Sequence, residues 1–316
     1  MSKADSTPRV TVLMSVYNAE AFLRAAIDSI LAQTFQDFEF LIINDGSKDK
    51  SLKIIKSYND SRIRLISRAN KGLTYSLNEG LGLAHGEYIA RQDADDISVP
   101  ERLAKEVAYL DNHPRVGLVG SNYTHMDARG KTSITTNVFT HPDDLKVCLI
   151  LCNQYGHGSV MMRRSALDQA GNYDKRVGYV EDYDLWIRLS QVSDVANFEE
   201  PLYWWRKSDS SIVHSNLELQ VQQTFAVRDR AFQHFLKHRR QYKLLSWHPS
   251  GQEYRRRKAT LYRDLAWLYR TAGQRWHAAV MLGLAAACQP KDKRNYRLGA
   301  KVLLKPASPI WEFEFL

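Results

Sequence analysis

The chain has 316 residues, of which 44% are hydrophobic and 25% charged, and its net charge is +9. This composition supports a sizeable buried core and excludes wholesale disorder, and the length exceeds one average domain, so a core with an appendage is expected. Residues 1–215 hold 25 Lys and Arg against 28 Asp and Glu, whereas residues 216–316 hold 19 against 7, so the basicity sits in the tail.

The first ten residues are polar and lack the apolar stretch of a signal peptide, which argues for a cytoplasmic chain. Arg9 to Tyr17 is short, β-branched and apolar, as a buried strand should be. Asn18 reads as an N-cap for a helix with Phe22, Leu23, Ala26, Ile27, Ile30 and Leu31 at helical spacing. Phe38 to Asn44 predicts a second strand, ending in the turn Asp45-Gly46-Ser47 and followed by a helix through Tyr58. Arg62 to Ser67, Glu87 to Gln92 and Val116 to Ser121 read as further strands, with helices over Gly72 to Ala84 and Pro100 to His113 between them. Such alternation predicts a mostly parallel α/β sheet with helices on both faces, and functional residues beyond the carboxyl ends of its strands.

The pattern then loosens, with Gly156-His157-Gly158, a helix at Arg164 to Ala170 and a helix start at Glu181, and the core closes near Tyr203 to Arg206. From Asn216 the strand signals vanish and two helical stretches follow, through Leu244 and from Tyr254 to Gln289, the latter broken at Gly273 like one helical pair of the tetratricopeptide sort. The division expected is a catalytic core over 1–215, with a nucleotide-binding half at about 9–121 and an acceptor half at about 122–215, and a basic helical extension over 216–316. The longest apolar run, Ala278 to Cys288, is shorter than the roughly 20 residues a membrane-spanning helix needs. Cys148, Cys152 and Cys288 form no paired framework and read as reduced thiols, with buried packing for the first two.

Three acids, Asp93, Asp95 and Asp96, crowd one strand-end loop. Carboxylates this close repel unless they bind a cation, meet donors or face water, so the loop is either a metal site or a solvated turn before the helix. Its place at the ligand-binding edge of an α/β sheet, with Asp45-Gly46-Ser47 on another strand end, favours a nucleotide whose phosphates share Mg²⁺ or Mn²⁺ with the protein. Glu181 and Asp182 open a helix whose apolar face is Leu185, Trp186 and Leu189; acids there answer the helix dipole, and one at a pocket lip also suits a general base.

Several separated motifs stand in one order: Ser15, Tyr17 and Asn18; Gln33-Thr34; Asn44-Asp45-Gly46-Ser47; Asn70-Lys71-Gly72; Ala84-His85-Gly86-Glu87-Tyr88-Ile89; Asp93-Ala94-Asp95-Asp96; and Gly178 followed by Glu181 to Leu189. Over residues 9–206 the chain resembles the family 2 glycosyltransferases. The resemblance implies a GT-A fold, a nucleotide diphosphate sugar donor, expected to be UDP-linked, a divalent metal (Mn²⁺ or Mg²⁺) and inversion at the anomeric carbon. It implies Ser15 and Tyr17 in the nucleotide pocket, Asp45 accepting from the base imide, Asp93 at the ribose or sugar, Asp95 on the metal, Asp182 as the base and Glu181 as an orienting group. Asp96 is left between metal support and helix capping. Lys71 is a phosphate contact or a solvated charge, and His157 and His214 are each either a metal or diphosphate contact or an ordinary hydrogen-bonded histidine; His214 joins Asp95 as a candidate ligand.

Arg255-Arg256-Arg257-Lys258 and the Lys237 to Lys243 stretch lie among Phe235, Leu236, Tyr242, Leu244, Leu245 and Trp247. This mixture suits the anionic inner face of the plasma membrane, at about 1 kcal/mol per cation, where a glycan or lipid-linked acceptor of surface polysaccharide assembly would lie. The competing reading is a helical appendage with solvated arginines. A nucleotidyltransferase would carry a Gly-rich basic loop where Ser15 to Glu20 stands, and a nucleic-acid-binding role for the tail would leave the acidic motifs without a task, so no nucleic-acid partner is expected.

Overall fold

A computed structural model describes residues 7–207, 217–238, 242, 252–271 and 274–295. The first half alternates as expected: β1 (Val10–Val16), α1 (Leu23–Leu31), β2 (Phe38–Asp45), α2 (Ser51–Lys56), β3 (Ile63–Arg68), α3 (Leu73–Leu83) and β4 (Tyr88–Gln92). Strands β1, β2 and β4 are apolar throughout their middles because both sheet faces are covered, and Val12, Leu13, Met14, Leu41, Ile42, Ile43 and Ile89 are all buried. Helix α1 closes one face with the stripe Leu23, Ala26, Ile27 and Ile30.

β1 runs parallel to both β2 and β4, with Met14 opposite Ile42 on one side and Gln92 on the other. The carboxyl ends of β2, β1 and β4 are therefore level, which sets Asp45, Ser15 and Asp93 along one edge. At about 4.8 Å per strand step, the outer two strand ends are roughly 10 Å apart.

The second half contains β5 (Ile97–Ser98), α4 (Arg102–Asn112), β6 (Val116–Met126), β7 (Thr132–Thr135), α5 (Pro142–Cys148), β8 (Met161–Arg163), α6 (Arg164–Ala170), α7 (Glu181–Val192), β9 (Asp194–Arg206) and α8 (Leu217–His238), with 3-10 turns at His157–Ser159 and Lys175–Val180. The strands form one sheet in the order β3-β2-β1-β4-β8-β6-β9-β5, with β7 on β6. β8 is antiparallel to both β4 and β6, so the sheet is mixed, with a parallel part from β3 to β4.

Strand β9 escapes a sequence reading because Glu199-Glu200-Pro201 interrupt it, and its pairing with β6 shifts register beside them. Asn18 is not an N-cap: it has φ 50° and its Oδ1 accepts the Lys48 amide at 2.8 Å, while α1 starts five residues later, at Leu23. Cys148 is buried as expected, but Cys152 is exposed.

The chain divides after Tyr242, not after Ser215. Helix α8 stays with the first unit because Val227, Ala231 and Phe235, at i, i+4 and i+8, are buried against it. Asp184 of α7 also pairs with Arg230 of α8 at 2.8 Å. The second unit holds α9 (Gln252–Thr271) and α10 (Arg275–Cys288), which pack on each other through residues such as Leu265, Tyr269, Ala278 and Ala285. Within the basic run expected to face a membrane, Arg255 and Arg256 are exposed but Lys258 is buried between Tyr254 and Tyr262. No described helix is long and apolar enough to cross a membrane. Trp247, His214 and the terminal Trp311, Phe313, Phe315 and Leu316 lie outside the described residues.

Candidate active site

The acidic loop after β4 is held from below. The Gln92 side-chain amide donates to the carbonyls of Asp93 and Asp96, both at 3.0 Å, and its own oxygen accepts from Ser98 Oγ at 2.6 Å. Arg206, at the end of β9, donates from its backbone to Asp96 Oδ1 and from Nε to the Asp95 carbonyl, each at 2.7 Å. Asp96 is buried and also bonds Tyr203, so it ties the loop to β9 and does not cap α4, whose first residue is preceded by Glu101 without a side-chain cap. Burial and the two neighbouring acids hold its carboxyl well above the usual range.

Asp93 is differently placed. Its Oδ1 pairs with Arg91 at 2.6 Å and its N–H donates to Tyr203 Oη at 3.1 Å, while the side chain remains partly open. Arg91 is a residue the motifs do not single out, although a charge inside the apolar strand Tyr88–Gln92 is a visible anomaly. It is fully buried, and its Nε has no hydrogen-bond partner among the described residues.

Among the nucleotide candidates, Asp45 is buried and nearly spent on its own loop. Its carboxylate accepts from the amides of Lys71 and Gly72 at 2.8 and 2.9 Å and pairs with Arg68. Gly46 is required there: at φ 73° a β-carbon would fall 2.5 Å from the Asn70 nitrogen. Ser15 is half-buried, Tyr17 is exposed, and Lys71 extends its ammonium over the Tyr75 ring, 4.4 Å from the centroid.

A cavity of about 640 Å³ brings Asp93, His157, Glu181 and Asp182 onto one wall system, together with Tyr123, Asn153, Tyr179, Trp205, Gln220 and Thr224. Asp182 Oδ2 accepts from Asn153 Nδ2 at 2.9 Å, and Oδ1 accepts the Tyr183 amide at 2.6 Å. Burial raises the carboxyls of both Glu181 and Asp182; the Asp182 charge pushes Glu181 further up, and the Asp93 charge does the same to Asp182. A raised carboxyl still able to ionise near neutral pH is suited to proton transfer. His157 bonds Tyr173 Oη through Nε2 at 3.1 Å, and burial beside Arg91 lowers it to about 3, which makes it a neutral imidazole. Gly158 admits no side chain, since a β-carbon would lie 2.8 Å from Asp93 Oδ2.

Asp95 has no ion-pair partner among the described residues. Burial and the Asp93 charge push its carboxyl up to about 6. No cluster of three His, Cys, Asp or Glu able to hold a metal exists among those residues. The available set is thus Asp95 with the free oxygen of Asp93, and this fits Mg²⁺ or Mn²⁺, which keep few protein ligands and share the rest with phosphate and water.

A mixed sheet whose parallel half delivers carboxylates to one edge, opposite an acid-bearing helix, is the GT-A architecture of glycosyltransferases. The solved structure of S. aureus TarS 1–349 in complex with UDP-GlcNAc matches it with a TM-score of 0.60 at 16% identity over 93% of this chain and 91% of that one. Mannosyltransferase PcManGT from Pyrobaculum calidifontis, in complex with GDP-Man and Mn²⁺, matches with a TM-score of 0.53 at 20% identity over 94% of this chain and 79% of that one. In sequence, residues 11–171 match the family described as glycosyl transferase family 2. EpsE of Bacillus subtilis (strain 168) is 37% identical over 66% of this chain and 76% of its own length. The amylovoran biosynthesis glycosyltransferase AmsE of Erwinia amylovora is 31% identical over 61% of this chain and 74% of its own. The chain belongs to glycosyl transferase family 2 and is a glycosyltransferase.

Proposed function

We propose that the chain transfers a sugar from a nucleotide diphosphate sugar to an acceptor hydroxyl, with inversion, using Asp182 as the base. One observation carries this reading: Asp182, whose carboxyl is raised by burial, shares a cavity with the strand-end acid Asp93. The acceptor oxygen attacks the anomeric carbon from the Asp182 side, the nucleotide diphosphate departs on the opposite side, and the hydroxyl proton passes to the Asp182 carboxylate. Asn153 and the Tyr183 amide hold that carboxylate in place, and Glu181 orients the acceptor.

On the donor side Asp93, fixed by Arg91 and Tyr203, accepts from the ribose or the transferred sugar. Ser15 and Tyr17 line the nucleotide pocket and Lys71 meets phosphate. Asp45 offers its remaining lone pair to the base imide, since a carboxylate has about four acceptor sites. Asp95 and the open oxygen of Asp93 would hold Mn²⁺ or Mg²⁺, which would neutralise charge on the diphosphate. The complexes of TarS with UDP-GlcNAc and of PcManGT with GDP-Man and Mn²⁺ support a nucleotide-sugar donor and a divalent cation; UDP is the nucleotide proposed for this chain.

The resemblance to AmsE supports a place in bacterial surface polysaccharide or lipid-linked glycan assembly. The exposed Arg255 and Arg256 support peripheral contact with an anionic membrane. Liposome flotation tests the membrane part: anionic vesicles lift the protein at low salt and release it at high salt, and equal flotation with neutral vesicles overturns it. The reaction is tested by incubating the protein with UDP- and GDP-linked sugars and Mn²⁺ and following released nucleotide diphosphate, which must depend on a sugar donor.

A further inference from the structure

We infer that the acceptor is a neutral sugar held between Tyr179, Gln220 and Thr224, and not a phosphate-terminated lipid. The inference rests on the proposed role of Asp182 and adds the substrate class of the same cavity. Its first support is charge. The described residues lining the cavity include the acids Asp93, Glu181 and Asp182 and no Lys or Arg. The nearest buried cation, Arg91, is paired with Asp93 at 2.6 Å. An acceptor phosphate beside Asp182 would meet Glu181 and Asp182 with no Lys or Arg on the wall, and the divalent cation that Asp95 and Asp93 would hold is taken up by the donor diphosphate; such repulsion is poorly screened in a partly desolvated site.

The second support is the chemistry of the wall. Gln220 and Thr224 stand at i and i+4 on one face of α8, and both line the cavity. Thr224 Oγ1 donates to the Gln220 carbonyl at 2.8 Å, which leaves its lone pairs to accept from a hydroxyl. The Gln220 carboxamide makes no hydrogen bond among the described residues and offers two donors and an acceptor. Tyr179, 39% exposed, supplies an aromatic surface beside them. A hydroxyl, a carboxamide and an aromatic ring match a pyranose, with its apolar C–H face and ring of hydroxyls.

The wall is fixed to the catalytic helix. Gln223 Oε1 accepts the Tyr179 amide at 2.9 Å, and its carboxamide occupies the space over Gly178, where a β-carbon would fall 2.3 Å from Nε2. Gly178 has φ 63° and sits three residues before Glu181.

The test uses the full-length protein with Mn²⁺ and whichever UDP- or GDP-linked sugar it hydrolyses in the absence of acceptor. Neutral p-nitrophenyl hexosides and N-acetylhexosaminides are offered in one arm, farnesyl phosphate and sugar 1-phosphates in the other, and extended product is read by mass. A neutral glycoside is extended and the phosphates are not. Gln220→Ala and Thr224→Val each raise the KM for that glycoside about ten-fold, the size expected for one hydrogen bond, with the loss falling on KM and not on kcat. Extension of farnesyl phosphate, or donor hydrolysis with no glycoside extended, overturns the inference while leaving nucleotide-sugar use intact. Failure to bind or hydrolyse any donor instead strikes the proposed function itself.

Discussion

Gly158 lies so close to Tyr203 that a β-carbon on it would fall 1.9 Å from the phenol oxygen. That oxygen accepts the Asp93 amide at 3.1 Å and bonds the buried Asp96, so the tyrosine links β9 to the acidic loop. The glycine between residues 157 and 159 thus sets the position of Asp93 from a turn more than sixty residues away.

Gly158→Ala must push Tyr203 aside, because the ring is buried and has no free direction. The expected cost is about 1–3 kcal/mol of stability, as for other overpacked sites. Transfer activity falls further than the melting temperature suggests, since Asp93 loses its anchor. Thermal unfolding and initial rates on the same preparation check this; a variant with unchanged rates removes the link between Gly158 and the site.

Arg91→Met leaves Asp93 without its cation and removes a buried charge whose Nε is unpartnered. Breaking one side of such a pair costs on the order of 3–5 kcal/mol, whereas Arg91→Met combined with Asp93→Asn recovers most of it. Urea unfolding of the single and double variants reads this difference, and additive losses would show that the two groups do not act as a pair.

Asn153 sets the acidity of the base. Its amide favours the charged form of Asp182, so Asn153→Ala raises a carboxyl that burial has already raised. The base acts only when deprotonated, so activity falls as pH drops through its pKa. The acidic limb of kcat/KM therefore lies above the ordinary carboxylate range in the parent protein and moves higher still in Asn153→Ala. A limb that stays in place detaches Asn153 from the base.

Asp95→Asn abolishes metal-dependent turnover and weakens donor binding. It also changes stability in a defined direction. The folded carboxyl is raised from 3.8 to about 6, so its favourable contribution is full below the unfolded value and is lost as pH rises through about 6. At pH 8 without metal the neutral amide is therefore the more stable form, by on the order of 1 kcal/mol after allowance for solvent access. Melting curves at pH 5 and pH 8 with and without Mn²⁺ test both statements; an identical Mn²⁺ response in the variant contradicts the role of Asp95.

The strands of the nucleotide half are legible because β1, β2 and β4 are buried on both faces and so are mainly apolar, and the acids stand out where those runs stop. β8 has three residues and β9 carries Asp194, Glu199, Glu200 and Pro201, so neither announces itself by pattern. The support of the site is less legible again. Arg206 meets Asp96 across 110 residues and Asn153 meets Asp182 across 29, and such partners are chosen by the fold, not by local spacing. Helix α8 is read correctly as a helix, but its membership in the first unit depends on which side of it packs, and the basic composition of the tail conceals that.

The most direct test of the account is Asp182→Asn, assayed for donor binding by calorimetry with Mn²⁺ and for sugar transfer in parallel. The carboxamide keeps the shape and the Asn153 contact region but cannot take a proton. Donor affinity stays within about two-fold while transfer falls by roughly 10²–10⁴, the contribution typical of a general base. Transfer at the parent rate would contradict the assignment of the base, whatever the fold.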